Sequence, residues 1–97
     1  MSIRFDWDPE KAARNAAKHG ISFDQAIQAF DDPDALFIED REHSDGERRE
    51  KLIGATDESV IVLVVFTERE KDATRIISAW EASRKERMQY EKNKAPD

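Results

Sequence analysis

A single small α+β domain is what this 97-residue sequence predicts, with an antiparallel sheet of about four strands, two N-terminal helices packed on it and a C-terminal helix. Three observations carry that expectation. Helix-capping residues punctuate the first third and the last sixth of the chain. Between them, from residue 35 onward, the apolar pattern changes to strand-like runs. The connectors separating the last three of those runs are too short for helical crossovers, so those strands should form an antiparallel meander. Chains usually divide only beyond roughly 250 to 300 residues, so residues 1–97 are expected to be one domain. Of these, 3–91 should be folded and 94–97 a frayed tail.

The elements follow in order. Ile3, Phe5 and Trp7 recur at period two, which suits an edge strand with one buried face. Asp8 is a natural N-cap, and Pro9 at the first helical position loses no hydrogen bond. The alanines at 12, 13, 16 and 17 favour helix, and Gly20 can close it in a left-handed conformation, with Lys18 and His19 in the last turn. Ser22 with Gln25 forms a capping box for a second helix, in which Phe23, Ala26, Ile27 and Phe30 make an apolar stripe. Pro33 ends it, because the residue before a proline avoids helical geometry. Residues 35–39, 48–55, 60–67 and 74–80 then read as strands. Val60 to Phe66 is apolar on both faces and should be the central strand. Ser83 and Glu86 form another capping box and open a charged last helix. With Met88 and Tyr90 as nearly its only large apolar side chains, that helix is expected to grip the core weakly.

Composition narrows the function classes. The chain has no cysteine, which removes disulfides, thiolate nucleophiles and sulfur-based zinc sites and fits a reducing cytoplasm. No apolar run approaches the roughly 20 residues of a membrane helix, and the start carries two Asp and no apolar core of a secretory signal. Sixteen basic against 22 acidic residues leave a net charge of −6, which argues against a broad basic face for duplex nucleic acid. The charge is unevenly placed. Residues 1–47 hold 5 basic and 12 acidic groups, whereas 48–97 hold 11 basic and 10 acidic, so anion binding belongs mostly to the second half.

Phosphate loops, nucleophile elbows and paired metal-binding histidines are missing, since the histidines are His19 and His43. The sequence offers instead cations on the expected sheet and its rims: Arg48, Arg49, Lys51, Arg69, Arg75, Arg84, Lys85 and Arg87. Cleavage of RNA by its own 2′-hydroxyl needs a base for that proton, a cation for the charge developing at phosphorus and an acid for the leaving 5′-oxygen. Arginine suits the second task and lysine or histidine the others, with no cofactor. Solvated surface charge is the plain alternative for these cations, and helix C-capping is the plain role of His19. Trp7 and Trp80 read first as packing residues and second as base-stacking ones.

Several separated motifs together resemble one family. Phe5-Asp6-Trp7-Asp8-Pro9-Glu10-Lys11-Ala12, Asn15, Lys18 through Phe23, Ala26 and Phe30 through Pro33 resemble the opening of BrnT-type toxins of bacterial type II toxin-antitoxin modules. Glu47-Arg48-Arg49, Ile53-Gly54, Val62 through Arg69, Arg75 through Ala79 and Ala82 through Arg87 continue the resemblance in order. It implies a fold similar to RelE-type ribonucleases, RNA cleavage that arrests growth, and neutralisation by a BrnA-type antitoxin in a hetero-oligomer that alone contacts DNA. Carried onto this chain, it implies Arg49 and Arg75 at the scissile phosphate, Lys18 or His19 in proton transfer and Ser78 as a hydrogen-bonding support. Lys11, Arg69, Arg84 and Trp80 are the expected substrate-binding residues, and no metal is expected.

One departure opens a second reading. Family members usually carry a basic residue, and often two, directly after the Ile-Ser-Ala of the last strand, where this chain has Trp80 and Glu81. Strict alternation places residue 80 on the face of Ser78 and Ile76, where an arginine would reach phosphate and a tryptophan would not. The chain is then either an active metal-independent ribonuclease or a toxin-fold protein kept for antitoxin binding and co-repression.

Overall fold

The computed structural model describes residues 4–40, 48–69 and 73–94. Strand β1, Arg4–Asp6, leads into helix α1, Pro9–His19. The Asp8 carboxylate accepts from the Glu10 N–H at 2.9 Å, and Gly20 ends the helix at φ 71°, where any side chain would be strained. Helix α2, Phe23–Ile27, is capped by the Ser22 hydroxyl, which accepts from the Gln25 N–H at 3.0 Å. It tightens at once into a 3₁₀ turn over Gln28–Asp31, so the apolar stripe is split between two helical forms. Strands β2 (Leu36–Asp40), β3 (Arg49–Ala55), β4 (Ile61–Arg69) and β5 (Ala73–Glu81) follow, then helix α3, Arg84–Asn93. At Ser83 and Glu86 both bonds of the expected capping box form.

The sheet has five strands, not about four, in the order β1-β5-β4-β3-β2. β2 through β5 make the expected antiparallel meander, but β1 lies parallel to β5, so the sheet is mixed. The cause is α1, which carries the chain away from β1 and lets it return as β5 only after three other strands. β4 is central, and Val62 through Phe66 are all buried. On one face of the sheet α1, α2 and the 3₁₀ turn enclose Phe23, Leu52, Val62, Val64, Phe66 and Ile76. Gly54 permits this approach, because a Cβ there would lie 2.9 Å from the Ala29 carbonyl oxygen and 3.2 Å from its Cβ.

The second face departs from expectation. α3 does not hang loosely but lies on its own apolar cluster of Ile53, Leu63, Val65, Ala82 and Tyr90. One aromatic ring suffices because its polar end is also anchored. The Tyr90 hydroxyl donates to Asp32 Oδ2 at 2.6 Å, and the same carboxylate accepts from the N–H groups of Ala55 and Asp34 at 2.8 Å each. Burial alone would raise the Asp32 carboxyl, but these bonds outweigh it and hold the group below its ordinary value of 3.8. Burial, and then the adjacent Asp32, push the Tyr90 phenol well above its ordinary range.

Beyond Arg75, β5 has no strand on its outer side among the described residues, where β1 pairs with residues 73–75. Asn15 of α1 fills one rung there. Its side chain accepts from the Ala79 N–H at 3.1 Å and donates to the Ala79 carbonyl at 2.8 Å and the Ile21 carbonyl at 3.0 Å. The buried amide thus fastens the helix along the strand.

Candidate nucleic-acid interface

Residues paired across a sheet share a face, so the strand register shows which side chains meet. On the α3 side, Arg49, Thr67, Arg75 and Asp6 form one row across β3, β4, β5 and β1. The next row is Lys51, Val65 and Ser78, and the third is Ile53, Leu63 and Trp80. The cluster under α3 occupies the third row and part of the second. Arg49, Lys51, Arg75 and Ser78 are half-buried.

A β-bulge makes this arrangement. Val65 pairs with Ser78 while its neighbour Phe66 pairs with Ile76, leaving Ile77 as the extra residue. The expectation that Trp80 shares the face of both Ser78 and Ile76 therefore holds for Ser78 and fails for Ile76, which is buried under α1 and α2. Without the bulge Arg75 would face away from Ser78 and Trp80; with it all three lie on one face. Strict alternation read from sequence contains no signal for that extra residue.

Carboxylates from the edge strands accompany these cations. Arg75 Nη1 lies 3.1 Å from Asp6 Oδ1, Lys51 Nζ lies 3.9 Å from Asp40 Oδ2, and Arg48 lies 3.6 Å from Glu39. Arg69 is exposed at the end of β4, where its partner on β5 is Ala73, extending the same face one row beyond Thr67's neighbour. The Thr67 hydroxyl donates to the Arg48 carbonyl at 2.7 Å and so steadies the start of β3 beside Arg49.

Lys18, His19, Trp80 and Glu81 meet at the other end of β5 and line a shallow cleft of about 610 Å³. The His19 and Trp80 rings are 5.8 Å apart, tilted by 43°. Trp80 is held from behind by its indole N–H, which donates to Glu86 Oε1 at 3.3 Å, while His19 is exposed. Lys11 is exposed on the α1 stripe of Asn15 and Lys18, at i, i+4 and i+7. Arg84 opens α3 and lines, with Arg87, Met88 and Lys92, a second hollow made by that helix. The predicted residues thus fall into an arginine row, a histidine corner four β4 residues or about 13 Å away, and outlying Lys11, Arg69 and Arg84. His43 lies outside the described residues. Asn15, prominent in the sequence motif, supplies no chemistry but places Lys18 and His19 at the corner. Lys51, one of many cations by sequence, gains importance only through its register with Ser78.

Known proteins match the same region. The family model for the ribonuclease toxin BrnT of type II toxin-antitoxin systems fits residues 7–86. The 1.1 Å crystal structure of the Brucella abortus ribonuclease toxin BrnT is similar with a TM-score of 0.67 at 25% identity, over 86% of this chain and 100% of that one. No curated protein matches. The family model spans both the α1 motif and the cationic strands, and the chain belongs to the BrnT family of type II toxin-antitoxin ribonuclease toxins.

Proposed function

We propose that this chain is a metal-independent endoribonuclease that cleaves RNA through its own 2′-hydroxyl, arrests growth, and is neutralised by a BrnA-type antitoxin in a cytoplasmic hetero-oligomer through which alone it meets DNA. On this reading its fold is kin to RelE-type ribonucleases. The observation that carries it is the bulge at Ile77, which gathers Arg75, Ser78, Arg49 and Lys51 on one face. The scissile phosphate lies above Ser78. From there Arg75 and Arg49 hold its non-bridging oxygens from one side, and His19 or Lys18 approaches from the other to move the proton. Lys51 supplies further positive charge. The ion pairs to Asp6 and Asp40 aim the cations until RNA arrives, and the more exposed Arg75–Asp6 pair is worth only about 0 to 1 kcal/mol, so phosphate can displace it. Lys11, Arg69 and Arg84 lie where a longer RNA would pass.

A second reading rests on Trp80. The indole is bonded to Glu86 and packed against the cluster under α3, so a fixed structural group stands where the family resemblance implies a phosphate-binding cation. The chain would then be an antitoxin-binding and co-repressing module. The test is to incubate the chain, freed of antitoxin, with a defined RNA in excess chelator beside Arg49→Ala, Arg75→Ala and Trp80→Arg. The first reading expects 2′,3′-cyclic phosphate ends and about 10²- to 10³-fold slower cleavage by either alanine variant. Cleavage by Trp80→Arg alone establishes the second, and a normal rate in both alanine variants overturns the site.

A further inference from the structure

We infer that the His19–Trp80 corner is a nucleobase pocket selective for guanine, with Glu81 as the residue that reads the base. The inference rests on the ribonuclease reading above and names which nucleotide that site holds. Lys18, His19, Trp80 and Glu81 alone line the cleft among the described residues, and they combine an aromatic wall, a cation and a carboxylate. The rings stand too close for a third to enter between them, so a base packs on the wall they form together. Every nucleobase can stack there, and the backing bond from Trp80 to Glu86 keeps the wall in place. Glu81, exposed at the end of β5, makes the choice. An ionised carboxylate only accepts hydrogen bonds. Guanine alone presents two adjacent donors, N1–H and the N2 amino group, on its Watson–Crick edge. Adenine and cytosine set a donor beside an acceptor, and uracil sets one donor between two acceptors, so each directs a lone pair at the carboxylate. Lys18, at the rim, meets the phosphate of the same nucleotide. Trp80 and Glu81 thus fit this corner to a base rather than to a phosphate alone.

The experiment is an NMR titration of the chain, freed of antitoxin, with GMP, AMP, CMP and UMP. It is accompanied by cleavage of an RNA carrying a single guanine. GMP should bind about 5- to 150-fold more tightly than the others, moving the Trp80 indole N–H and the His19 ring resonances. Glu81→Gln, an exposed change that leaves the core intact, should remove most of that advantage without weakening AMP. Cleavage should fall beside the guanine and lose that preference in Glu81→Gln. Equal affinity for the four nucleotides, or an unchanged guanine preference in Glu81→Gln, would overturn the inference. Guanine selectivity without cleavage of any RNA would instead sink the ribonuclease reading and leave the pocket standing.

Discussion

At Gly54 one methyl group decides whether the 3₁₀ turn can lie on β3. Gly54→Ala drives a Cβ against the Ala29 backbone, which cannot swing aside, and should cost about 1 to 3 kcal/mol in urea unfolding. An unchanged midpoint would show that the turn is free to lift. Asn15 offers a sharper case. Asn15→Asp exchanges the amide N–H₂ for an ionised oxygen facing the carbonyls of Ala79 and Ile21. The loss should be roughly 2 to 4 kcal/mol at pH 7 and smaller near pH 4, where the new carboxyl can protonate and donate. Equal loss at both pH values would contradict it. Sequence reading found Asn15 as a motif residue but not its task, because its partner Ala79 is 64 residues away in a strand whose edge is left open only by the shortness of β1.

Helix α3 shows what an element can draw from very few contacts. Capping, charge and the scarcity of apolar residues were all legible, and they led to a weakly held helix. The anchoring bond was not, since Asp32 looked like one acid in the turn Asp31-Asp32-Pro33-Asp34 until the fold set it beneath Tyr90. Asp32 is held below 3.8, so its contribution to stability is present above that value and is lost as pH falls through the lowered one. Tyr90 is raised above its ordinary 10.0, so its contribution is complete below pH 10 and is lost as pH rises through the folded value. Tyr90→Phe should lower stability by about 1 to 2 kcal/mol near neutrality and remove the alkaline loss. Urea midpoints at pH 3, 7 and 10.5 measure both effects, and parallel curves for the two proteins would refute the latch. The strands fared better in sequence: all five were placed within two residues at each end, because period two and burial on both faces leave a strong pattern. The bulge at Ile77 was invisible for the same reason, as an added residue only shifts the phase of an otherwise regular run.

For the whole molecule, a net charge of −6 coexists with one face on which Arg49, Lys51 and Arg75 stand together. Single-stranded RNA held by these three and Lys18 should release about two to three counterions, giving a slope near −2 to −3 in log affinity against log salt. Anisotropy titrations between low and physiological salt measure it, and a flat line would exclude the face. The sheet's two margins also govern how copies of the protein can meet. Around Ala79 the β5 margin is already occupied by the Asn15 amide, and β1 adds only three residues. Among the described residues β2 has no neighbour on its outer side, and Phe37 stands 57% exposed on it. Were two copies to join along β2 in the antiparallel sense, a twofold axis would relate them. A contact of that kind uses up both β2 margins and so closes at two copies.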